Sequence, residues 1–600
     1  MNEPTTAVSS TQASTELSLP RTLPRLRFPF LCLLIFWLLS FLVGALNKPY
    51  FVGFMYSMAS AALVTLLFVG WWWLNRGLRI WEKCAGFALI ILEAWIVGKF
   101  SDQSVNFFTL WMSGLPLVAS VVVAWLFFAK RFGLSWVRIG FILFVTLAWT
   151  YFMVIRIDGA DSRLKMQTHW RWTPTTEEQF LAGARPRSLA ARPVSGSTSA
   201  LTAAAATDWV AFRGPERDGV ITGTIIATNW TANPPALVWK RAVGPAWSSL
   251  VVVGPRVFTQ EQRGEQEAVV CYDATDGEQV WLHDETARFN EAVSGPGPRA
   301  TPTFSSGHLY TLGGTGLLSC LDAATGQLVW KRDIKQDSGA KVPMWAFSSS
   351  PLAARDLVVV YAGGDAGKAL LAYRSQTGEI AWSASAGQSS YSSAELATIA
   401  GVSQCLMLHD EALSSFDPAT GEKLWQAGLA MKGAPRCGQP HLIQGNELLV
   451  GMLNGTGCSL LEVATNTEGW SITKKWDSKD LKPEFPDLVV YNGYAYGFDV
   501  GVFCCLNLAD GKRAWKEGRY GRGQVMLLRD QGLLLISSET GELVLLSADS
   551  TAHRELARFQ ALEGKTWNHP VVCRDRVFLR NAQEMACYSF SPQHSKLASR

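Results

Sequence analysis

Residues 320–330 read CLDAATGQLVW, and the same phrase returns as CYDATDGEQVW at 271–281, AYRSQTGEIAW at 372–382, SFDPATGEKLW at 415–425 and CLNLADGKRAW at 505–515. The common form is apolar-Asp-x-x-Thr-Gly-x-x-apolar-Trp. Asp322 and Thr325 can hydrogen-bond within their own turn, Gly326 can take a positive φ, and the chain reverses into a strand ending on Trp330. A large flat ring at that position can fill the wedge between neighbouring sheets. Two short β-rich runs precede each phrase, such as TPTFSSGHLYTL before Trp330 and SPLAARDLVVVY before Trp382, so each unit holds four strands.

With ALVWK at Trp239 and a degraded copy ending at Trp476, the terminal tryptophans are spaced by 42, 49, 52, 43, 51 and 39 residues. That is the period of a β-propeller blade. A seventh unit runs from GQVMLL to about Phe559, and HPVVCRDRVFLRNAQEMACYSF (569–590) then supplies three strands and no fourth. ALVWK (236–240) is one outer strand without a blade. Pairing the two closes the ring at eight blades, because closure removes exposed sheet edges.

The first quarter of the chain has a different composition. Apolar runs at 28–46, 51–74, 85–100, 105–129 and 139–155 approach the length that crosses a bilayer core. The expected fold is thus a membrane α-helical bundle of five transmembrane helices followed by an all-β eight-bladed β-propeller. The boundaries are a cytoplasmic tail (1–27), the transmembrane domain (28–155), an extracytoplasmic linker (156–207), the propeller (208–590) and a tail (591–600). The first span follows Arg21, Arg25 and Arg27 and is read as an uncleaved anchor rather than a signal peptide cut near Ala45.

Orientation follows from the basic residues, which short cytoplasmic loops retain. Arg76, Arg79 and Lys83 join spans two and three, Lys130, Arg131 and Arg138 join spans four and five, and the intervening loops offer only Lys48 and Lys99. The amino terminus is expected inside and the propeller on the periplasmic side of the cytoplasmic membrane, whether or not the first span is cleaved. Lys plus Arg number 54 against 50 Asp plus Glu, and the surplus lies in these loops, so no basic field for nucleic acid exists. Glu93, inside span three, is costly in lipid and marks either a site or a bundle-paired group. Trp71, Trp72 and Trp73 read as an interfacial belt. Thr175 with Glu178 reads as the cap of a short helix.

The repeated phrase resembles the pyrroloquinoline-quinone-type (PQQ-like) propeller repeat with its terminal Trp docking motif. DWVAFRGPERDGV (208–220), GRYGRGQ (518–524) and GKTWNHP (564–570) carry a further likeness to bacterial propellers named for that repeat. Two functions share it. Quinoprotein dehydrogenases, including membrane-bound glucose dehydrogenases with five spans, hold quinone and calcium in the propeller funnel. The propeller lipoprotein of the outer-membrane-protein assembly machine binds no cofactor and acts as a scaffold. At about 44 residues per blade over 236–590 there is little insertion to roof a cofactor. The expectation is therefore a noncatalytic binding or scaffolding module of the cell envelope without a cofactor. The alternative is a dehydrogenase of sugars or alcohols using PQQ with calcium and passing electrons to membrane quinone. Adjacent Cys504 and Cys505 resemble the vicinal disulfide of some quinoprotein alcohol dehydrogenases, yet Cys505 occupies the repeat slot of Cys271 and Cys320 and is expected to be packed and free.

Loops joining one blade's outer strand to the next blade's inner strand gather at one mouth of a propeller. Here they carry Trp247, Arg299, Trp345, Tyr391, Arg436, Arg522, Trp567 and His569. Aromatic faces beside guanidinium groups would suit a small anionic, planar or sugar-like ligand, or an envelope protein. If they form such a site, Arg299 and Arg522 should face the axis instead of pairing locally. No metal site is expected, since the eight His are scattered without HExxH, no CxxC or EF-hand loop occurs, and Asp273, Asp322 and Asp417 are turn residues.

Overall fold

A computed structural model of the 600-residue chain describes residues 26–45, 50–75, 77–161, 166–183, 201, 203–429, 436–452, 457–485 and 487–591. The expected tails lie almost wholly outside these residues, as does much of the expected linker. The chain divides into two compact units, residues 1–45 with 54–156 and residues 46–53 with 157–600.

The first unit is helical. Its rods are Arg27–Ala45, Tyr50–Leu74, Ile80–Phe100, a continuous run from Phe107 to Arg131 containing one π-turn at Leu110–Gly114, and Leu134–Val154. Three stretches are long and apolar enough to cross a membrane, Gly53–Leu74, Phe107–Arg131 and Leu134–Val154, and Arg27–Val43 is a shorter apolar helix. Ile80–Phe100 falls short of that composition because it carries Glu82, Lys83, Glu93 and Lys99. Close packing here relies on glycine facing tryptophan: Gly86 lies under Trp72, Gly114 under Trp149 and Gly140 under Trp125. Trp71 and Trp72 are buried in the bundle and only Trp73 faces outward, so the triplet is mostly packing rather than a belt. Glu93 accepts from Thr146 Oγ1 at 2.6 Å, a bond between two helices.

In the second unit the repeat builds eight sheets, and six of them consist wholly of consecutive strands. Blade two shows the pattern, with Thr303–Ser305 innermost, then His308–Leu312, Leu317–Asp322 and Leu328–Asp333 outermost. Asp322 Oδ1 accepts from the Thr325 N–H (2.8 Å) and hydroxyl (2.7 Å), so the turn is held as its residues require. Gly326 has φ 74°, and a Cβ there would lie 2.6 Å from the Trp281 ring of the preceding blade. The same stacking joins Gly277 to Trp239, Gly378 to Trp330, Gly421 to Trp382 and Gly511 to Trp476. Each indole N–H also reaches the next blade, as Trp281 to Ala323 O (3.2 Å) and Trp330 to Ser375 O (2.8 Å). Blade five, whose phrase is degraded, breaks the rule: Trp425 of blade four donates instead to Gln404 Oε1 of its own blade (2.6 Å).

Closure occurs where expected. Ala236–Ala242 pairs antiparallel with Glu584–Ser589, setting Trp239 opposite Cys587 and completing the eighth blade. One strand was not foreseen: Val220–Ile221 runs parallel beside Leu527–Leu528 on the inner edge of blade seven. Within 156–207, the helix Thr176–Gly183 carries the expected cap, Glu178 N to Thr175 Oγ1 at 2.9 Å, and Glu177 pairs with Arg288 of the propeller at 2.9 Å. Cys504 and Cys505 are free and buried in two different interblade cores, as the repeat slot implied.

Candidate functional site

Where five of the mouth loops enter their inner strands, a backbone N–H donates sideways to a side chain of the next blade. Ser249 N reaches Thr301 Oγ1 (3.0 Å), Thr301 N reaches Ser350 Oγ (2.9 Å), Ser350 N reaches Ser393 Oγ (2.8 Å), Ser393 N reaches Gln439 Oε1 (3.2 Å) and Gln439 N reaches Asp487 Oδ2 (2.8 Å). Six blades are thereby laced at one level around the axis. An innermost strand has no partner on its axial side, so these groups would otherwise be left without a bond.

Inside that girdle lies a segment of the chain's own. Trp209 exchanges backbone hydrogen bonds with Val252 of blade one (2.8 and 2.9 Å), and Val210 O accepts from Phe304 N of blade two (2.8 Å). Arg213 donates to Leu488 O before blade six (2.7 Å) and lies 3.7 Å from Asp487. Arg217 donates to Pro351 O (3.0 Å) and Ser350 O (3.2 Å) before blade three. The segment then joins blade seven through Val220–Ile221. Asp208, Trp209, Arg213 and Arg217 are all buried. Arg213 and Arg217 hold φ of 64° and 58°, a left-handed geometry that costs about 1–2 kcal/mol per residue and that the carbonyl bonds offset. Gly219 (φ 77°) is required, because a Cβ would meet the Arg213 guanidinium at 2.8 Å. On the innermost strands of blades four and five, Leu396 is 44% and Leu442 38% exposed.

The electrostatics are those of buried, paired charges. Burial pulls Arg217 down to about 10 against the attraction of Glu395, and burial raises Glu395 well above the carboxylate range although Arg217 opposes it. Burial acts to raise Asp487 too, but Arg213 and His441, whose Nε2 is 2.8 Å away, outweigh it and hold the carboxylate well below its usual range.

The mouth residues expected from sequence divide into two kinds. The aromatics gather in the openings of the loops: Trp247 and Trp567 lie 4.9 Å apart between centroids, Phe485 sits 5.1 Å from Trp567, and Trp345 stands 5.3 Å from Tyr391. All five are partly exposed. The arginines are engaged locally. Arg299 Nη2 donates to Ser294 Oγ (2.9 Å) and Gly295 O (2.8 Å), lies 3.5 Å from Glu291, and stacks over Phe289. Arg522 pairs with Glu484, both buried. Arg436 donates to His409 O and Leu429 O (both 3.3 Å). His569 is buried against Trp209 with ring nitrogens on Pro570 O and Val525 O, and burial pushes it down to about 3.

Sequence reading passed over Lys565, although it lies within the quoted GKTWNHP. Its Nζ sits 4.4 Å from the Trp567 ring and 5.3 Å from Trp247, and donates to Ala160 O and Val293 O at 3.1 Å each. Burial lowers it to about 8 against the pull of Glu291 and Glu539. Glu267, bonded by Gly314 N, is raised by burial to about 7. Arg213 and Arg217 also stood in a quoted stretch, but nothing in a single-copy segment tells which part of a repeat ring it will enter.

These residues do not fit a quinone with its calcium ion on the axis. The carboxylates Asp487 and Glu395 are already matched by Arg213 and Arg217, whose guanidinium groups are committed to carbonyl oxygens, so these groups are spent on one another rather than on a divalent cation. Among the described residues no three His, Cys, Asp or Glu converge as a cation site.

Residues 265–517 match the family described as outer membrane protein assembly factor BamB. No curated protein matches the chain. Among solved structures, BamB from Moraxella catarrhalis aligns at 14% identity and TM-score 0.45 over 59% of this chain and 99% of that one. The quinohemoprotein alcohol dehydrogenase of Comamonas testosteroni aligns at 12% and 0.46 over 69% and 84%, and the computationally designed Ika8 protein at 11% and 0.40 over 59% and 99%. The Trp–Gly stacking and the strand pairing make this an eight-bladed propeller behind amino-terminal apolar helices, and its residues 265–517 are similar to the BamB family.

Proposed function

We propose that this chain is a cytoplasmic-membrane protein whose five amino-terminal helices carry a periplasmic PQQ-like propeller that binds or scaffolds without catalysis. The observation that carries the reading is the filling of the channel by residues 208–221, which takes up axial space a cofactor-using propeller needs. The mouth then works as a surface. Its available faces are Trp247, Trp345, Tyr391, Phe485 and Trp567, while the guanidinium groups of Arg299, Arg436 and Arg522 are held by neighbours. Such a surface favours a sugar-like or planar ligand, or an apolar loop of an envelope protein, over a small free anion.

The deciding experiment is reconstitution of the purified full chain with pyrroloquinoline quinone and calcium, followed by dye-linked dehydrogenase assays on sugars and alcohols. No stoichiometric quinone uptake and no turnover are expected. Uptake with turnover would establish the dehydrogenase alternative. Placement is tested separately by protease shaving of spheroplasts, where protection of a site near residue 195 would refute a periplasmic propeller.

A further inference from the structure

Trp170 and Trp172 are the most conspicuous surface feature outside the mouth. They are 52% and 69% exposed, and their rings stack on each other with centroids 5.5 Å apart. Every residue of the strand Met166–Trp170 is exposed. The paired strand Ile155–Ala160 is fixed to the propeller at its far end, through Ala160 N to Val293 O (2.9 Å) and Lys565 Nζ to Ala160 O (3.1 Å). Asp158 and His169 bridge the two strands at 2.7 Å. Two exposed indoles set on an anchored hairpin are costly to leave in water, and nothing within the described protein covers them.

Ile155 follows directly on Val154, the last residue of the membrane-length helix Leu134–Val154. Only five residues separate Ala160 from Met166, a connection that joins antiparallel neighbours and no others. The chain therefore leaves the helix along Ile155–Ala160 and comes back along Met166–Trp170, so Trp170 and Trp172 sit at the end of the hairpin where the strand began. An indole has an apolar body and one N–H donor, which suits it to the boundary between lipid headgroups and acyl chains.

We infer that Trp170 and Trp172 insert into the lipid headgroup interface, giving the hairpin a peripheral membrane contact in addition to the spanning helices. This rests on the reading that Leu134–Val154 spans the bilayer, and the test separates the two. A benzophenone amino acid is placed singly at Trp170, Trp172, Leu143 or Leu556 in the full chain in native membranes and irradiated. Leu143 is an exposed position within the helix, and Leu556 is an exposed position on the outer strand of blade seven. Lipid adducts are expected at 143, 170 and 172, at least fivefold above position 556. Lipid adducts at 143 with 170 and 172 no higher than 556, or with polypeptide adducts in their place, would overturn the inference and leave the span intact. Failure of 143 as well would overturn both. All four positions are exposed, so the substitutions leave the packed interior unchanged.

Discussion

The rim of the propeller and its axis are held together by opposite means. Around the rim, one device recurs at five junctions: a tryptophan lies on the glycine of the next blade's turn and donates to its backbone. Along the axis, residues 208–221 touch blades one, two, three, six, seven and eight through contacts that do not recur from blade to blade. Redundancy makes the rim robust and readable. Uniqueness makes the axis specific, and it is the axis that separates a filled channel from one open to a cofactor.

The comparison breaks most completely if the ring is opened. Deleting Ala236–Ala242 leaves Glu584–Ser589 as an exposed edge, and we expect loss of a single cooperative melting transition together with aggregation in size-exclusion chromatography. A retained sharp transition would show that closure contributes little.

Next in size is the rim wedge. Trp330→Ala should cost about 3–5 kcal/mol in denaturant unfolding, the range for removing a buried large aromatic. Trp425 is the sharper case, because its N–H is satisfied within its own blade. Trp425→Phe should cost less than Trp330→Phe, which removes from Ser375 O the indole donor that ties the two blades together.

At the axis, Arg217→Met should cost about 2–3 kcal/mol by leaving the carbonyls of Ser350 and Pro351 without donors and Glu395 without its cation. The same change should raise proteolysis within 208–221 while the outer strands of the blades keep their protection.

The effect that is smallest over any one step of its variable is on pH dependence. His569 titrates at about 3 when folded and about 6.5 when unfolded. Between those values the unfolded chain holds a proton that the folded chain lacks, so stability should rise with pH across that window and level off above it. Its slope is at most about 1.4 kcal/mol per pH unit. His569→Phe should flatten the curve there. Asp487, held below the usual carboxylate range, gives stability that is present above about pH 4 and lost as pH falls, so its part remains in that variant.

The same contrast explains what was legible from sequence. Asp322, Thr325, Gly326 and Trp330 declared a turn and a wedge because their chemistry is local and recurs, and ALVWK declared closure because it was a strand without a blade while residues 569–590 were a blade short of one strand. Mouth loops could be assigned to one face by their place in the repeat, but the direction of Arg299, Arg436 and Arg522 depended on Glu291, Glu484 and backbone carbonyls whose proximity no spacing encodes. Arg213 and Arg217 were in view as letters, yet their burial is decided by carbonyl oxygens before blades six and three, far away in sequence. Trp71 and Trp72 looked interfacial from their run position and are packed instead, because Gly86 opens a slot for the Trp72 ring.

Amide hydrogen exchange on the full chain, followed by mass spectrometry, tests most directly whether residues 208–221 fill the channel. The account predicts that amides of Trp209, Gly219 and their neighbours exchange as slowly as those of the inner strands Val251–Val253 and Gln524–Leu528, against which they are bonded. Exchange of that segment at the rate of an exposed loop, with the blades still protected, would mean that the channel is open and would contradict the account.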